Sequence, residues 1–207
     1  DPPDRGDTRR GVLADGGAGG GGPPAPPPAQ GGGLKTALRS PADAAGDGDF
    51  RGRSVARLYE AYQAELARSN AVDFDDLLYM TARLLRSKEA LRRASSERFR
   101  YLLIDEYQDT NHAQLVIARA IAEHGNIMVV GDPDQSIYGW RGADLRNILE
   151  FEEAFPGAEI IPLGENFRST GYIVDAASSL IRHNTRRRHK VLSTSLGPGR
   201  RPLIIGC

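Results

Sequence analysis

Three short stretches of this 207-residue chain carry side chains suited to chemistry. In the first, Asp105 and Glu106 follow directly on the apolar run 101–104. Adjacent carboxylates repel unless something positive lies between them. A hard cation such as Mg²⁺ takes oxygen ligands and keeps several waters for a phosphate substrate. One carboxylate would hold such a metal through its water shell, and the other would orient or deprotonate an attacking water. The plainer alternative is that both acids cap the helix that follows. In the second stretch, Gly131-Asp132-Pro133-Asp134-Gln135 closes another apolar run with further acids. Tyr138, Trp140 and Arg141 come next, two rings with a cation beside them. Such a set forms a platform on which bases stack, contributing about 1–3 kcal/mol per base whatever the sequence. A lone tryptophan ordinarily belongs to a core, but Gly139 and Arg141-Gly142 around this one argue for a loop. Tyr138 also suits packing. The third stretch, 165–170, carries the ring of Phe167 and the guanidinium of Arg168, to which spacing alone assigns no role.

These groups need a scaffold, and the apolar spacing supplies one. Residues 53–69 place Val55, Leu58, Tyr59, Tyr62 and Leu66 at helical intervals. Residues 73–86 read as a second helix with Asp73 as N-cap and Phe74, Leu77, Leu78, Ala82 and Leu85 on its apolar side. Buried strands are predicted at 101–104, 127–130 and 159–163, with a fourth opening at 203–205. Helices are predicted between them at 111–124, 144–151 and 170–183. This alternation argues an α/β fold, a parallel sheet with helices on its faces. Ligands of such sheets bind beyond the carboxyl ends of the strands. Both acid clusters fall at such ends.

Composition sets the limits. The chain carries 27 basic and 27 acidic side chains, so any claim of nucleic-acid binding must rest on particular residues rather than on net charge. Residues 1–52 hold 14 of the 24 glycines and 8 of the 13 prolines, with Phe50 as their one aromatic. So little apolar surface does not offset ordering entropy, and this head is expected to be a disordered, low-complexity arm. One cysteine, Cys207, excludes a disulfide scaffold and a cysteine-based zinc site. No apolar run approaches the roughly 20 residues of a membrane span, and the Asp-Pro-Pro-Asp start lacks the regions of a signal peptide. An intracellular protein is expected, cytoplasmic in a bacterium and nuclear or organellar in a eukaryote.

Read as strings, residues 103–111 are Leu-Ile-Asp-Glu-Tyr-Gln-Asp-Thr-Asn, and 129–144 are Val-Val-Gly-Asp-Pro-Asp-Gln-Ser-Ile-Tyr-Gly-Trp-Arg-Gly-Ala-Asp. Residues 165–170 are Glu-Asn-Phe-Arg-Ser-Thr, and 72–78 are Val-Asp-Phe-Asp-Asp-Leu-Leu. In this order and spacing they resemble motifs II, III and IV, and the stretch before motif II, of the UvrD/Rep-type superfamily 1 ATP-dependent DNA helicases. The resemblance runs from about Tyr59 to Lys190. It implies a P-loop NTPase, RecA-like fold present in part: the later portion of a first motor domain at 53–163 and the start of a second at 164–207. It also implies ATP and Mg²⁺ as cofactors, with Asp105 holding the metal together with Glu106, and Glu106 activating the attacking water. Gln135 and Arg168 would contact the γ-phosphate, and Phe167 would stack on adenine where the family usually has tyrosine, so a hydroxyl contact is lost. Tyr138, Trp140 and Arg141 would line the path of single-stranded DNA. The function implied is 3′-to-5′ translocation on single strands and duplex junctions in repair or replication, among proteins of those pathways and away from membranes. A non-catalytic helicase-like binding module and the helicase part of a helicase–nuclease are the alternatives.

Several elements of that machinery, the adenine-recognition motif and the later motifs of the second motor domain among them, have no counterpart in the sequence. The family's phosphate cradle, Gly-x-x-x-x-Gly-Lys-Ser/Thr, needs a lysine, and the three here are Lys35, Lys88 and Lys190. Lys35 follows Gly31-Gly32-Gly33-Leu34, where leucine stands in place of the second glycine. These residues by themselves are therefore expected to bind ATP weakly. Arg182, Arg186–Arg188, His189 and Lys190 form a basic cluster that suits either a phosphate backbone or a solvated helix end.

Overall fold

The computed structural model describes residues 12–13, 33–45 and 50–203. In chain order the regular elements are β1 (Val12–Leu13), α1 (Gly33–Thr36), α2 (Pro41–Ala45), α3 (Phe50–Arg68), α4 (Phe74–Ser87) and α5 (Glu89–Arg98). There follow β2 (Leu102–Ile104), α6 (His112–Ile121), β3 (Ile127–Val129), α7 (Arg146–Leu149), α8 (Phe151–Ala154), β4 (Glu159–Ile160) and α9 (Gly171–Ile181).

The α/β reading holds, with a small parallel sheet at its centre. β2 and β3 pair in parallel, Leu102 opposite Ile127 and Ile104 opposite Val129, and α6 makes the crossover between them. Asn111 caps α6 through a reciprocal pair: its side chain accepts from the Gln114 amide, while the Gln114 side chain accepts from the Asn111 amide. β1 pairs in parallel with β4. The described strands thus form two pairs rather than one continuous sheet. Behind them lies a core of Tyr107, Ala118, Ala122, Ile127, Val129, Ile148 and Phe151. Tyr107 and Phe151 meet edge to face with ring centres 5.4 Å apart.

Several expectations need correction. Order does not wait for residue 53, because α1, α2 and the start of α3 all lie within the stretch expected to be a disordered head. The reason is a buried ion pair that composition does not show. Lys35 Nζ lies 2.6 Å from Asp73 Oδ2 and 2.9 Å from Asp76 Oδ1, and only 6% of Lys35 remains exposed. The helix expected at 144–151 divides into α7 and α8, since Glu150 leaves helical geometry and lets both Ile148 and Phe151 reach the core. On α3 the covered side runs through Ala56 and Tyr59, and Leu58 faces out; on α4 it runs through Asp76, Tyr79, Ala82 and Leu85, with Phe74 and Leu77 outside. α5, which has few apolar residues, was not expected at all. The third strand stops at Ile160. Of the fourth, Leu203 joins no strand and 204–205 lie outside the described residues.

Candidate functional site

β2 delivers Asp105 and Glu106 to the surface as its hydrogen bonding to β3 ends. Val130 donates to the Ile104 carbonyl at 2.8 Å, and Tyr107 donates to the Val130 carbonyl at 3.0 Å, so the chain is pinned on both sides of the acid pair. Between those pins Glu106 takes a left-handed conformation, φ 49° and ψ 43°. For a residue with a side chain this costs roughly 1–2 kcal/mol, and such strain persists only where the surroundings fix it. Asp105 Oδ1 accepts from the Glu106 amide at 2.9 Å. Glu106 Oε2 accepts from Gln108 Nε2 at 2.7 Å.

Gln108 is 1% exposed and links the two strand ends. While its amide nitrogen holds Glu106, its carbonyl accepts from the Asp132 amide at 2.9 Å. Gly131 makes that approach possible: a Cβ there would stand 2.6 Å from Gln108 Oε1 and 3.1 Å from the Tyr107 nitrogen. Asp132 gathers further donors. Its carboxylate accepts from Gln135 Nε2 at 2.7 Å and from the Asp134 amide at 3.0 Å, and it pairs with Lys190. Burial pushes the Asp132 carboxyl upward, but the bonds from Lys190 and Gln135 prevail and hold it below the ordinary carboxylate range. Asp134 lies 2.9 Å from Arg187, with both side chains more than nine-tenths buried.

The next turn presents the aromatic pair. Trp140 is 73% exposed and Tyr138 is 38% exposed, so neither belongs to the core. Their ring centres lie 6.4 Å apart, and the Arg141 guanidinium sits 5.2 Å from the Trp140 ring and 5.9 Å from that of Tyr138. Gly142, at φ 88°, ends the turn against the Thr36 side chain of α1.

Phe167 and Arg168 stand in a separate loop. Asn166 Oδ1 accepts from the Arg168 amide at 3.0 Å and from the Ser169 amide at 2.7 Å, an Asx turn that leads into α9. The Asn166 amide donates to the Ser193 carbonyl at 2.7 Å, which fixes the loop from its other side. Phe167 is exposed, and among the described residues no hydrogen bond or ion pair joins Arg168 to the strand-end acids. The structure therefore joins Asp105, Glu106 and Gln135 through hydrogen bonds by way of Gln108 and Asp132, sets Tyr138, Trp140 and Arg141 in the turn that follows Gln135, and leaves Phe167 and Arg168 in a separate loop.

Four participants were missed from the sequence. Nothing in the sequence marks Gln108 beyond its place two residues after Glu106, and Asp132 reads there only as a strand-end acid. Arg187 and Lys190 were read as part of a basic cluster, whereas they neutralise Asp134 and Asp132. Arg188 is spent likewise, donating to the Leu149 carbonyl at 2.7 Å and to Glu152 at 2.6 Å. The alternation of acids at 132 and 134 with bases at 187 and 190 was the available signal.

Comparison with known proteins gives a consistent picture. Residues 33–156 match the family model described as the UvrD/REP helicase N-terminal domain. The chain is 45% identical over 168 residues to the ATP-dependent DNA helicase PcrA of Staphylococcus epidermidis, covering 80% of the chain and 23% of that relative. It is 48% identical over 168 residues to the same-named protein of Leuconostoc citreum, covering 80% and 22%. With that of Staphylococcus aureus the identity is 44% over 164 residues, covering 78% and 22%. The chain spans under a quarter of the length of these curated relatives.

Proposed function

The chain belongs to the UvrD/Rep helicase family, and from that membership we propose that it forms the nucleotide-hydrolysing edge and part of the DNA track of an ATP-dependent, 3′-to-5′ DNA translocase. Residues 33–163 would belong to the first RecA-like motor domain and 164–207 to the start of the second. The observation that carries this reading is the unbroken run Glu106–Gln108–Asp132–Gln135, which ends a few residues before the Trp140 platform. A carboxylate fit to accept a proton, an amide fit to sense phosphate and a stacking surface are thereby joined through hydrogen bonds and one short loop.

The donor set suits Mg²⁺. Asp105 and Glu106 are exposed, each has one carboxylate oxygen engaged within the chain, and each keeps one oxygen open. No group of three His, Cys, Asp or Glu converges among the described residues. A metal here would therefore complete its shell with water and phosphate oxygens, the habit of Mg²⁺. When bound, it would neutralise charge on the phosphates. Glu106 would take the proton of the attacking water, its carboxylate aimed by Gln108. The Gln135 amide, held on Asp132 in this structure, would exchange that partner for the γ-phosphate. Arg168 would offer its fork to the developing charge, and Phe167 its ring face to the adenine. No lysine stands in a Gly-Lys-Ser/Thr cradle, and Lys35 and Lys190 are both held by carboxylates, so turnover by these residues alone is expected to be slow.

DNA binding by the purified 207-residue chain tests the reading directly. Trp140→Ala should weaken binding of a labelled oligothymidine about 5- to 150-fold, the equivalent of the roughly 1–3 kcal/mol that stacking contributes. Binding should also weaken as salt rises. Equal anisotropy curves for the parent and the variant, both folded, would refute it.

A further inference from the structure

We propose that Lys190 is a positioning residue: by pairing with Asp132 it holds the 131–142 loop, and with it Gln135 and Trp140, in place from the segment that follows α9. The roles of Gln135 and Trp140 rest on the proposed function; the pairing and its effect on the loop do not.

Three observations meet at Asp132. Lys190 reaches it from 58 residues away in sequence, and the Lys190 side chain is only 10% exposed. The same carboxylate already accepts from Gln135 Nε2 and from the Asp134 amide, while the Asp132 backbone donates to Gln108. Asp132 thus holds the sensing amide and the loop backbone through its carboxylate, and the Glu106 relay through its own backbone amide. The segment bearing Lys190 is itself anchored twice more, by Arg187 on Asp134 and by Arg188 on Glu152 and the Leu149 carbonyl. Such triple attachment fixes where the ammonium stands.

The consequence for mechanism follows from what an unpaired charge costs. If Gln135 turns from Asp132 toward a phosphate, the carboxylate loses a donor. The Asp132 side chain is 24% exposed, so its vacated oxygen regains water only in part and keeps a share of its desolvation penalty. Lys190 remains on Asp132 throughout, so Gln135 leaves a neutralised partner rather than an orphaned one. The residue that eases this exchange lies beyond Arg168 in the chain, on the same side of β4. Any displacement of that portion would be felt at Gln135 through the ion pairs of Lys190 with Asp132 and Arg187 with Asp134, which is a physically explicit route between the two parts.

Backbone hydrogen exchange of the whole 207-residue chain, read by mass spectrometry on peptides covering 131–142, tests this. Lys190→Met should speed exchange there at least tenfold, with 102–104 and 112–121 unchanged. Lys190→Arg, which keeps the charge, should return exchange to within about threefold of the parent. Asp132→Asn removes the direct pairing with little change of shape, leaving Asp134 Oδ2 3.7 Å from the Lys190 ammonium, and serves where Lys190→Met does not fold; it should reproduce the local tenfold effect. The double variant should exchange no faster than the faster single variant. Unchanged exchange at 131–142 in both single variants, or an increase spread evenly over the chain, overturns the proposal. The readout uses neither nucleotide nor DNA. Failure of Trp140→Ala to alter DNA binding would therefore refute the proposed function alone, and a null exchange result would refute this pairing alone.

Discussion

Replacing Lys35 by methionine should cost this chain about 3 kcal/mol. The side chain is 6% exposed and its ammonium is bonded to Asp73 and Asp76, the latter completely buried. It also lies 5.1 Å from the Tyr62 ring and 5.9 Å from that of Tyr59. Removing one member of a buried ion pair typically costs about 3–5 kcal/mol, because an uncompensated charge stays behind. The low end applies here. Asp73 is partly solvated, and it keeps the Asp76 amide at 2.7 Å and the Tyr62 hydroxyl at 3.0 Å as donors. For a domain of this size 1 kcal/mol moves the melting temperature by roughly 2–4 °C, so the loss should be roughly 6–12 °C by circular dichroism. Adding Asp76→Asn should restore part of it by removing the stranded charge. The pH dependence has a definite sign. Burial opposes ionisation of Asp73, but Lys35 and the Asp76 amide prevail and hold its carboxyl below the ordinary value. A depressed carboxyl stabilises the fold above the unfolded value, about 3.9, and that stability is lost as pH falls through the folded value. Lys35, raised against burial by Asp73 and Asp76, stabilises below about 10.4 and loses its effect as pH rises through the folded value. The gap between parent and variant should thus be flat near neutrality and close in acid. A loss under about 1 kcal/mol, or a gap that persists undiminished to pH 2, would refute the reasoning.

Gly131→Ala forces a methyl group to within 2.6 Å of Gln108 Oε1 and 2.9 Å of Ile148 Cδ1; urea unfolding should show a loss of about 1–3 kcal/mol, and a neutral result would mean the strand ends are not closely joined. Asn111→Ala removes the reciprocal cap of α6 and should lower stability by about 0.5–2 kcal/mol in the same assay, unless the Gln114 side chain alone sustains the helix start. Tyr107 is fully buried, its hydroxyl has no hydrogen-bond partner among the described residues, and burial pushes its pKa up to about 12. Tyr107→Phe should therefore leave stability unchanged or raise it by up to about 1 kcal/mol, since the buried hydroxyl gains nothing from its surroundings; a clear loss would show that the hydroxyl is satisfied in solution.

The parts of the molecule legible in the sequence are those governed by neighbours along the chain. Asp73 could be assigned as an N-cap because the residues it serves are three positions away, and β2 and β3 stood out because buried parallel strands are uninterrupted apolar runs. The glycines around Trp140 disclosed a loop for the same local reason. What escaped depended on partners distant in sequence. α1 is a single turn after a glycine run, and nothing nearby announces that Lys35 will be enclosed by residues 73 and 76. Helical periodicity located α3 and α4, yet it placed Leu58, Phe74 and Leu77 on the covered side, because spacing defines a stripe without saying which neighbour lies against it. The cluster around Lys190 was ambiguous in the same way. Bases look solvated until the acids that face them are known.

That ambiguity matters most at the two acid clusters, which the sequence presents as equivalent. Each follows an apolar strand, and each offers two carboxylates near the carboxyl edge of a parallel sheet. The structure makes them unlike. At the end of β3, Asp132 and Asp134 are met by Lys190 and Arg187, so their charge is already balanced and a divalent cation would have to displace two buried bases. At the end of β2, Asp105 and Glu106 have no salt-bridge partner among the described residues; their bonded oxygens accept only from a backbone amide and a glutamine, which donate without bringing charge. Desolvating an extra cation beside neutralised acids gains little, whereas placing one between two like charges removes a repulsion. The same division separates tasks. The balanced pair can hold the loop that carries Gln135 and Trp140, and the unbalanced pair is left with both the charge and the open oxygens that metal and water require.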